Sequence, residues 1–267
     1  MELPAQRAVG RLSLEFQHAG GQTRPRRLYQ LGCLKVLLPR PAEADSAEAV
    51  SLNISGGIAG GDTLATDIVL DDNARLIMAS QAAERIYRAV AEPARIGTSL
   101  VIGAGARLDY LPQETILFDG FGLERSLRID MDETSQFLGV ESLVFGRAAM
   151  GETIRRGWLR DSVTLCRNGR LVLQDATRLD GDIAAIMARP AVAGGAAALA
   201  TVIYAAPHAA EVLPGLRAAL APFGAASAVA GLVFARLLAP DAYSLRSCLR
   251  RALGVCRDGR PLPKVWQ

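Results

Sequence analysis

Along most of the chain, apolar and polar residues alternate with a period of two. From Val9 to Asp175, Leu12, Leu14 and Phe16 are set against Arg11, Ser13 and Glu15. In the same way Val50, Leu52 and Ile54 are set against Ser51, Asn53 and Ser55. Successive side chains of a strand point to opposite faces, so the pattern predicts half-buried strands with one face on a core. Leu123, Leu127 and Ile129 share another such face, with Arg125 as its single exception. Turn residues separate the stretches, at Gly20-Gly21, Asp71-Asp72-Asn73, Gly103-Ala104-Gly105, Asp119-Gly120 and Asn168-Gly169. The last lies between Val163-Thr164-Leu165 and Leu171-Val172-Leu173 and predicts a hairpin, because Asn and Gly both adopt the positive φ of a tight turn. About a dozen short strands with no long helix between them fit either two packed antiparallel sheets or a β-helix-like solenoid.

After Asp175 the texture changes. Residues 198–204 and 229–238 read as strands, and 209–220 and 241–255 as helices. In the last helix Leu245, Leu249 and Leu253 recur every four residues with Cys248 and Ala252 beside them, which places Arg246, Arg250 and Arg251 on the outer face. Pro240 and Asp241 suit its start and the region of Gly254 its end. The expected architecture is therefore mainly β. A strand-rich body over residues 1–178 carries a small C-terminal α+β portion over 179–267, packed on it or part of one domain. No repeat of fixed period and no low-complexity linker divides the two.

Composition narrows the function. The 267 residues are 50% hydrophobic and 21% charged, as in a globular protein, but only 5% aromatic, so Leu, Val, Ile and Ala must build the core. A net charge of +3, from arginines spread along the chain, is not a nucleic-acid footprint. The densest cluster, Arg24, Arg26 and Arg27 beside Arg7 and Arg11, reads as a strand edge that is solvated or faces a partner. Cys33, Cys166, Cys248 and Cys256 form no CxxC pair and read as reduced, mostly buried thiols. Met1-Glu2-Leu3-Pro4 lacks a basic segment followed by an apolar one, so a cytoplasmic protein is expected. The uncharged runs 190–210 and 218–235 have the length of membrane spans. They are broken by Pro207 and by Pro222-Phe223-Gly224, however, and read as short buried elements instead.

Candidate chemistry is confined to a few polar groups in apolar surroundings. The stretch Asn53-Ile54-Ser55-Gly56-Gly57-Ile58-Ala59-Gly60-Gly61-Asp62 is rich in glycine like a phosphate loop. Yet it places Asp62 where such a loop needs Lys, and the carboxylate repels phosphate. A sharp corner with close chain approach is the alternative, Asp62 either capping local N–H groups or facing a polar cavity. Gln113, Glu114 and Asp119 interrupt an apolar stretch around Tyr110 to Gly120. Glu141 sits among Leu, Val and Phe, where it needs an arginine such as Arg147 or a water-filled passage. His18 and His208 are isolated, and no nucleophile motif or Cys/His ligand set is present.

These stretches also carry a resemblance. The runs Gly56 to Asp62, Gln81-Ala82-Ala83-Glu84-Arg85-Ile86-Tyr87-Arg88, Leu111 to Gly120, Phe145 to Glu152 and Leu262-Pro263-Lys264-Val265-Trp266-Gln267 occur in an order and spacing that resemble the UreD family of urease accessory proteins, called UreH in some species. The resemblance implies a non-catalytic scaffold or chaperone. Such a protein joins a UreF-like helical partner and a UreG-like GTPase to apo-urease for GTP-dependent nickel insertion. It also implies a helix-like β body with an internal polar passage, no permanently bound cofactor and transient contact with Ni²⁺. By that analogy Asp62 and Glu141 line the passage, with Glu84, Glu114 and Asp119 as further candidates. A carboxylate-based hydrolase using Glu114 or Glu141, and a plain structural subunit, stay open as alternatives.

Overall fold

In the computed structural model, which describes residues 7–146 and 152–267, the alternating stretches form strands that coil between two sheets. β1 (Val9–Ala19) and β2 (Gln22–Gly32) make an opening hairpin, followed by β3 (Leu34–Leu37) and β4 (Ala47–Asn53). The coils then run through β5 (Thr63–Leu70), β6 (Arg75–Ser80) and β7 (Glu84–Ile86), and through β8 (Ala94–Ile102), β9 (Arg107–Leu111) and β10 (Thr115–Leu117). They end with β11 (Phe121–Met131) and β12 (Gln136–Phe145), and β13 (Gly157–Arg167) and β14 (Arg170–Gly181) form a second hairpin. α1 (Ile183–Ala188), β15 (Ala198–Ala205), α2 (Leu213–Leu220), β16 (Gly224–Val229), β17 (Leu232–Ala239) and α3 (Ala242–Cys256) complete the chain.

One sheet has the order β14-β13-β11-β8-β5-β1-β2 and the other β16-β17-β15-β12-β9-β6-β4-β3, with β7 and β10 on a short ladder beside β12. Strands β1, β5, β8, β11 and β13 are parallel, as are β4, β6, β9 and β12. The solenoid expectation is met, and the alternative of packed antiparallel sheets is corrected. After β5, β8 and β11 the chain crosses to the other sheet before it returns, so neighbours run the same way, and antiparallel pairing is left to the sheet ends. Thr63 lies beside Arg95, Ala94 beside Leu123 and Phe121 beside Gly157, so successive coils take 32, 29 and 36 residues. That variation is why no fixed repeat shows in the sequence.

Two cores result. Inward rows such as Leu12, Leu14, Phe16 and Leu123, Leu127, Ile129 meet Leu76, Leu108, Phe137 and Leu143 of the other sheet. The outward face of the second sheet, with Leu111, Leu138 and Val140, packs under Leu216, Leu220, Leu245, Leu249, Leu253 and Trp266. Asn168 (φ 48°) and Gly169 (φ 72°) close the β13–β14 hairpin as expected. The strand expected over 229–238 is β17, but its hairpin partner β16, joined through a turn at Ala230 and Gly231, was not anticipated, nor was α1. Gly224-Ala225-Ala226-Ser227 has too little apolar contrast to announce a strand. The helix expected over 209–220 begins as a 3₁₀ turn, Ala209–Val212, before α2. The two uncharged runs are spent on β15, α2, β16, β17 and their connections. No helix among the described residues is long and apolar enough to cross a membrane. All four cysteines are buried and unpaired.

The C-terminal layer is fastened by charge. Asp241 caps α3, accepting a hydrogen bond from the Ser244 N–H at 2.7 Å. At the other end of the helix Arg257, fully buried, pairs with Asp109 of β9 and lies 2.5 Å from Glu43 in the β3–β4 connection. It also donates to the Pro261 carbonyl at 2.8 Å. Glu43 is shared with Arg107 and Arg260. Burial raises the pKa of Asp109, and its three arginine neighbours oppose that shift. Arg246 does not face outward as its position on the helix implied. It hydrogen-bonds Gln113 at 2.5 Å, Glu114 at 3.2 Å and the Val265 carbonyl at 2.8 Å, because the C-terminal segment folds back over that side of α3. Trp266 is fully buried beneath it and donates to the Leu111 carbonyl at 2.8 Å.

Replacing Arg257 with Ala leaves Asp109 and Glu43 without their central partner. Urea denaturation is expected to show a loss of about 3–5 kcal/mol. Neutralising Arg257 and Asp109 together (Arg257→Met, Asp109→Asn) is expected to recover most of that loss, since Glu43 keeps Arg107 and Arg260 as partners.

Candidate functional site

Strand β11 points Leu123, Arg125, Leu127 and Ile129 into the space between the sheets, and Arg125 is only 7% exposed. A guanidinium in that position is tolerated only if its donors are met. Parallel pairing sets Asp161 of β13 beside it, and Arg125 Nε and Nη2 donate to the two Asp161 oxygens at 3.0 and 2.7 Å. This planar, two-bond geometry is the strong form of the pair. From the opposite sheet Glu141 Oε2 comes within 2.5 Å of Nη1, which also donates to Thr115 Oγ1 at 3.1 Å.

One cation therefore faces two carboxylates inside the solenoid. Asp161 takes the two-bond contact and Glu141 a single one. Burial pushes the Glu141 carboxyl up to about 7; Arg125 opposes the shift and Asp161 adds to it. Burial works against the charge of Arg125, but Asp161 and Glu141 outweigh it, and its pKa is raised. The Tyr110 hydroxyl, bonded to Thr98 in the same interior, is also raised, first by burial and then by the Glu141 charge. With both carboxylates ionised the cluster carries one negative charge in excess, so it can take up a proton near neutrality or attract a second cation.

The five carboxylates singled out from the sequence do not converge. Asp62, 4% exposed, accepts from the Ala8 and Ala59 N–H groups, each at 2.8 Å, and so fastens the start of β1 to the glycine-rich corner. That corner is tight: a Cβ on Gly60 would stand 2.5 Å from the Glu92 carbonyl and 2.7 Å from Ala89. Glu84 receives Asn53 Nδ2 on both oxygens at 3.1 Å, and its pKa is raised by burial, which Asn53 partly offsets. It stands opposite Thr115 on the β7–β10 ladder, hence one strand away from the Arg125 cluster. Glu114 faces the other side of the sheet and meets Arg246. Asp119 accepts from the Arg155 and Arg156 N–H groups at 2.7 and 3.0 Å; these bonds, that of Arg156 foremost, lower its pKa.

Glu84 thus stands opposite Thr115, whose hydroxyl shares Arg125 Nη1 with Glu141, whereas Glu114 and Asp119 lie elsewhere. A hydrolase needs two carboxylates flanking one open cleft; Glu114 and Glu141 occupy opposite faces of a sheet. Among the described residues no three His, Cys, Asp or Glu side chains are grouped to hold a metal ion. Arg147, the partner expected for Glu141, lies outside the described residues, and Arg125 fills that role. Arg125 was visible as the one charged residue in an apolar row, and Asp161, between Leu159 and Val163, carried the same signal. Their pairing required the register.

The profile of the family described as UreD urease accessory protein matches residues 8–267. The chain is 44% identical over 262 residues to the urease accessory protein UreD of Rhizobium leguminosarum bv. trifolii (strain WSM2304), covering 98% of this chain and 96% of that protein. It is 45% identical over 271 residues to the UreD of Methylobacterium sp. (strain 4-46), covering 98% and 95%. With the UreD of Agrobacterium fabrum (strain C58 / ATCC 33970) the identity is 39% over 261 residues, covering 98% and 92%.

The raised pKa of Glu141 makes stability depend on pH. The folded state holds this proton more tightly than the unfolded chain, so the contribution is full below the ordinary value of 4.5 and is lost as the pH rises through about 7. Unfolding free energies measured from pH 5 to 8 are expected to fall by up to about 3 kcal/mol from this group. In Glu141→Gln that part of the slope disappears. Arg125→Met strands both carboxylates and is expected to cost about 3–5 kcal/mol at pH 8.

Proposed function

The chain belongs to the UreD family of urease accessory proteins, maturation factors rather than catalysts, and on that premise we propose that it serves as the scaffold on which apo-urease receives its nickel. It joins a UreF-like helical protein and a UreG-like GTPase to apo-urease in the cytoplasm, and GTP hydrolysis by that partner accompanies metal insertion. The observation that carries this reading is the relationship to urease accessory proteins over 98% of the chain.

Nickel, as cargo, passes through the solenoid rather than residing in it. A surface cavity of about 220 Å³, lined in part by Ser51, Asn53, Ser80 and Glu84, opens beside the β7–β10 ladder. Across that ladder, at the ~4.8 Å spacing of paired strands, Glu84 faces Thr115, and Thr115 faces Leu143, two residues along β12 from Glu141. Successive oxygen ligands with few charges bind a borderline divalent ion weakly enough to release it. In this route Glu84 and Glu141 are the conducting carboxylates. Asp62, Glu114 and Asp119, each committed to a structural bond elsewhere in the fold, take no part in it.

Deleting the gene in a urease-producing host is expected to leave assembled urease that is poor in nickel by elemental analysis. Nickel content equal to wild type would sink the scaffold reading. Glu84→Gln and Glu141→Gln are expected to preserve co-purification with urease and to lower its nickel several-fold. Full loading by both variants would remove the passage while leaving the scaffold.

A further inference from the structure

Strand β2 lies at the edge of the seven-stranded sheet, paired only to β1, and every one of its residues except Thr23 is exposed. Its two halves differ. The first contains Arg24, Pro25, Arg26 and Arg27 and a register shift opposite Glu15 and Phe16. These features keep an edge from pairing with whichever strand it meets. The second half, Leu28-Tyr29-Gln30-Leu31, has none of them, and Leu28, Tyr29 and Leu31 are 42%, 42% and 49% exposed. β3, the edge of the other sheet, touches β1 and β2. With Val9, Leu37, Leu38 and Ile54, seven of the fourteen exposed large hydrophobic residues among those described fall between residues 9 and 54. A free row of backbone N–H and C=O groups flanked by apolar side chains is a template for an added strand.

Charge decides what kind of strand. Arg26 is satisfied, with Nε and Nη2 on Glu15 Oε2 at 3.1 and 2.9 Å and Nη1 on Asp71 at 2.8 Å. Among the described residues, Arg27 reaches only the other Glu15 oxygen, at 3.5 Å, and Arg24 contacts only the Gln22 amide oxygen, at 3.4 Å. Two guanidinium groups at one end of the edge therefore have donors to spare. A second copy of β2, paired antiparallel over the whole strand, would set Arg27 against Arg27, and like charges directly opposite are unfavourable. We propose that β2 takes an extended segment of a different protein, added as the eighth strand of this sheet. Its apolar residues would lie along Leu28, Tyr29 and Leu31, and its carboxylates would face Arg24 and Arg27. This rests on the scaffold reading above and gives that scaffold one of its docking edges.

The test uses the full chain co-produced with the urease subunits and the other urease accessory proteins of one host, followed by hydrogen–deuterium exchange on the purified complex. Alternate amides between residues 28 and 32, free in the isolated chain, are expected to become protected. Tyr29→Lys with Leu31→Lys is expected to weaken the partner's retention about tenfold or more, and Arg24→Gln with Arg27→Gln to weaken it in the same direction. Melting temperature and far-ultraviolet dichroism should stay unchanged, because these side chains are exposed. A complex in which residues 28–32 exchange as in the free chain would overturn the edge assignment alone. Protection that arises instead from a dimer of this chain, abolished by the lysine pair, would overturn it too. Absence of any complex with the wild-type chain would overturn the scaffold reading and this assignment with it.

Discussion

The middle of this protein depends on how a charge is neutralised inside a coil of parallel strands. A side chain that points between the sheets can be answered only by another that points inward at the same level. For Arg125 these are Asp161, one coil further along the same sheet, and Glu141, from the sheet opposite. The pairing thus ties two coils and two sheets at a single guanidinium. Hydrophobic packing alone tolerates sliding between similar apolar rows; a bidentate arginine contact does not, because its hydrogen bonds have fixed direction. Buried ion pairs are poor sources of net stability, so the contribution here is to register and, through the unevenly shared Glu141, to the electrostatics of the interior.

The second sheet is buried on both faces, as parallel sheets generally are. Its outer cover comes from the C-terminal segment, and the boundary is polar in only a few places. Arg246 over the Trp266 ring, 5.0 Å from its centroid, and Arg257 against Asp109 and Glu43 mark the two ends of α3. Between them the contact is aliphatic. The same sheet therefore separates two charge systems, one facing inward around Glu141 and one facing outward around Asp109. A sequence view sees only carboxylates in apolar strands and cannot tell the two apart.

Much of the architecture was legible because alternation is a direct consequence of strand geometry. Leu12, Leu14 and Phe16 face inward as their spacing implies, and Asn168-Gly169 turns where its φ values allow. Strand direction was not legible, since the same alternation serves parallel and antiparallel sheets. The short pieces were missed where small residues blunt the contrast, as in Gly224 to Val229. For the site, the costly residues Asp62 and Glu141 were visible as polar groups in apolar company. Their partners were not, because Ala8 is 54 residues from Asp62 and a register, not a spacing, brings Asp161 to Arg125. Arg246 shows the limit of a helical wheel: the face that looks free on α3 is covered by a segment that follows it.

The clamp between Glu43 and Arg257 also sets a timetable. The two residues are 214 positions apart, and a ribosome adding about 5–20 residues per second needs roughly 10–40 s to make the second after the first. Through that interval the connection before β4 and the outer face of the second sheet have been synthesised without the layer that covers them. The parallel coils can stack as they emerge, each waiting only for the next. The helical cover cannot form until α3 and Arg257 have been made. Newly made chains thus pass through a form with one sheet face bare, which ends when α3 and the segment after it fold down.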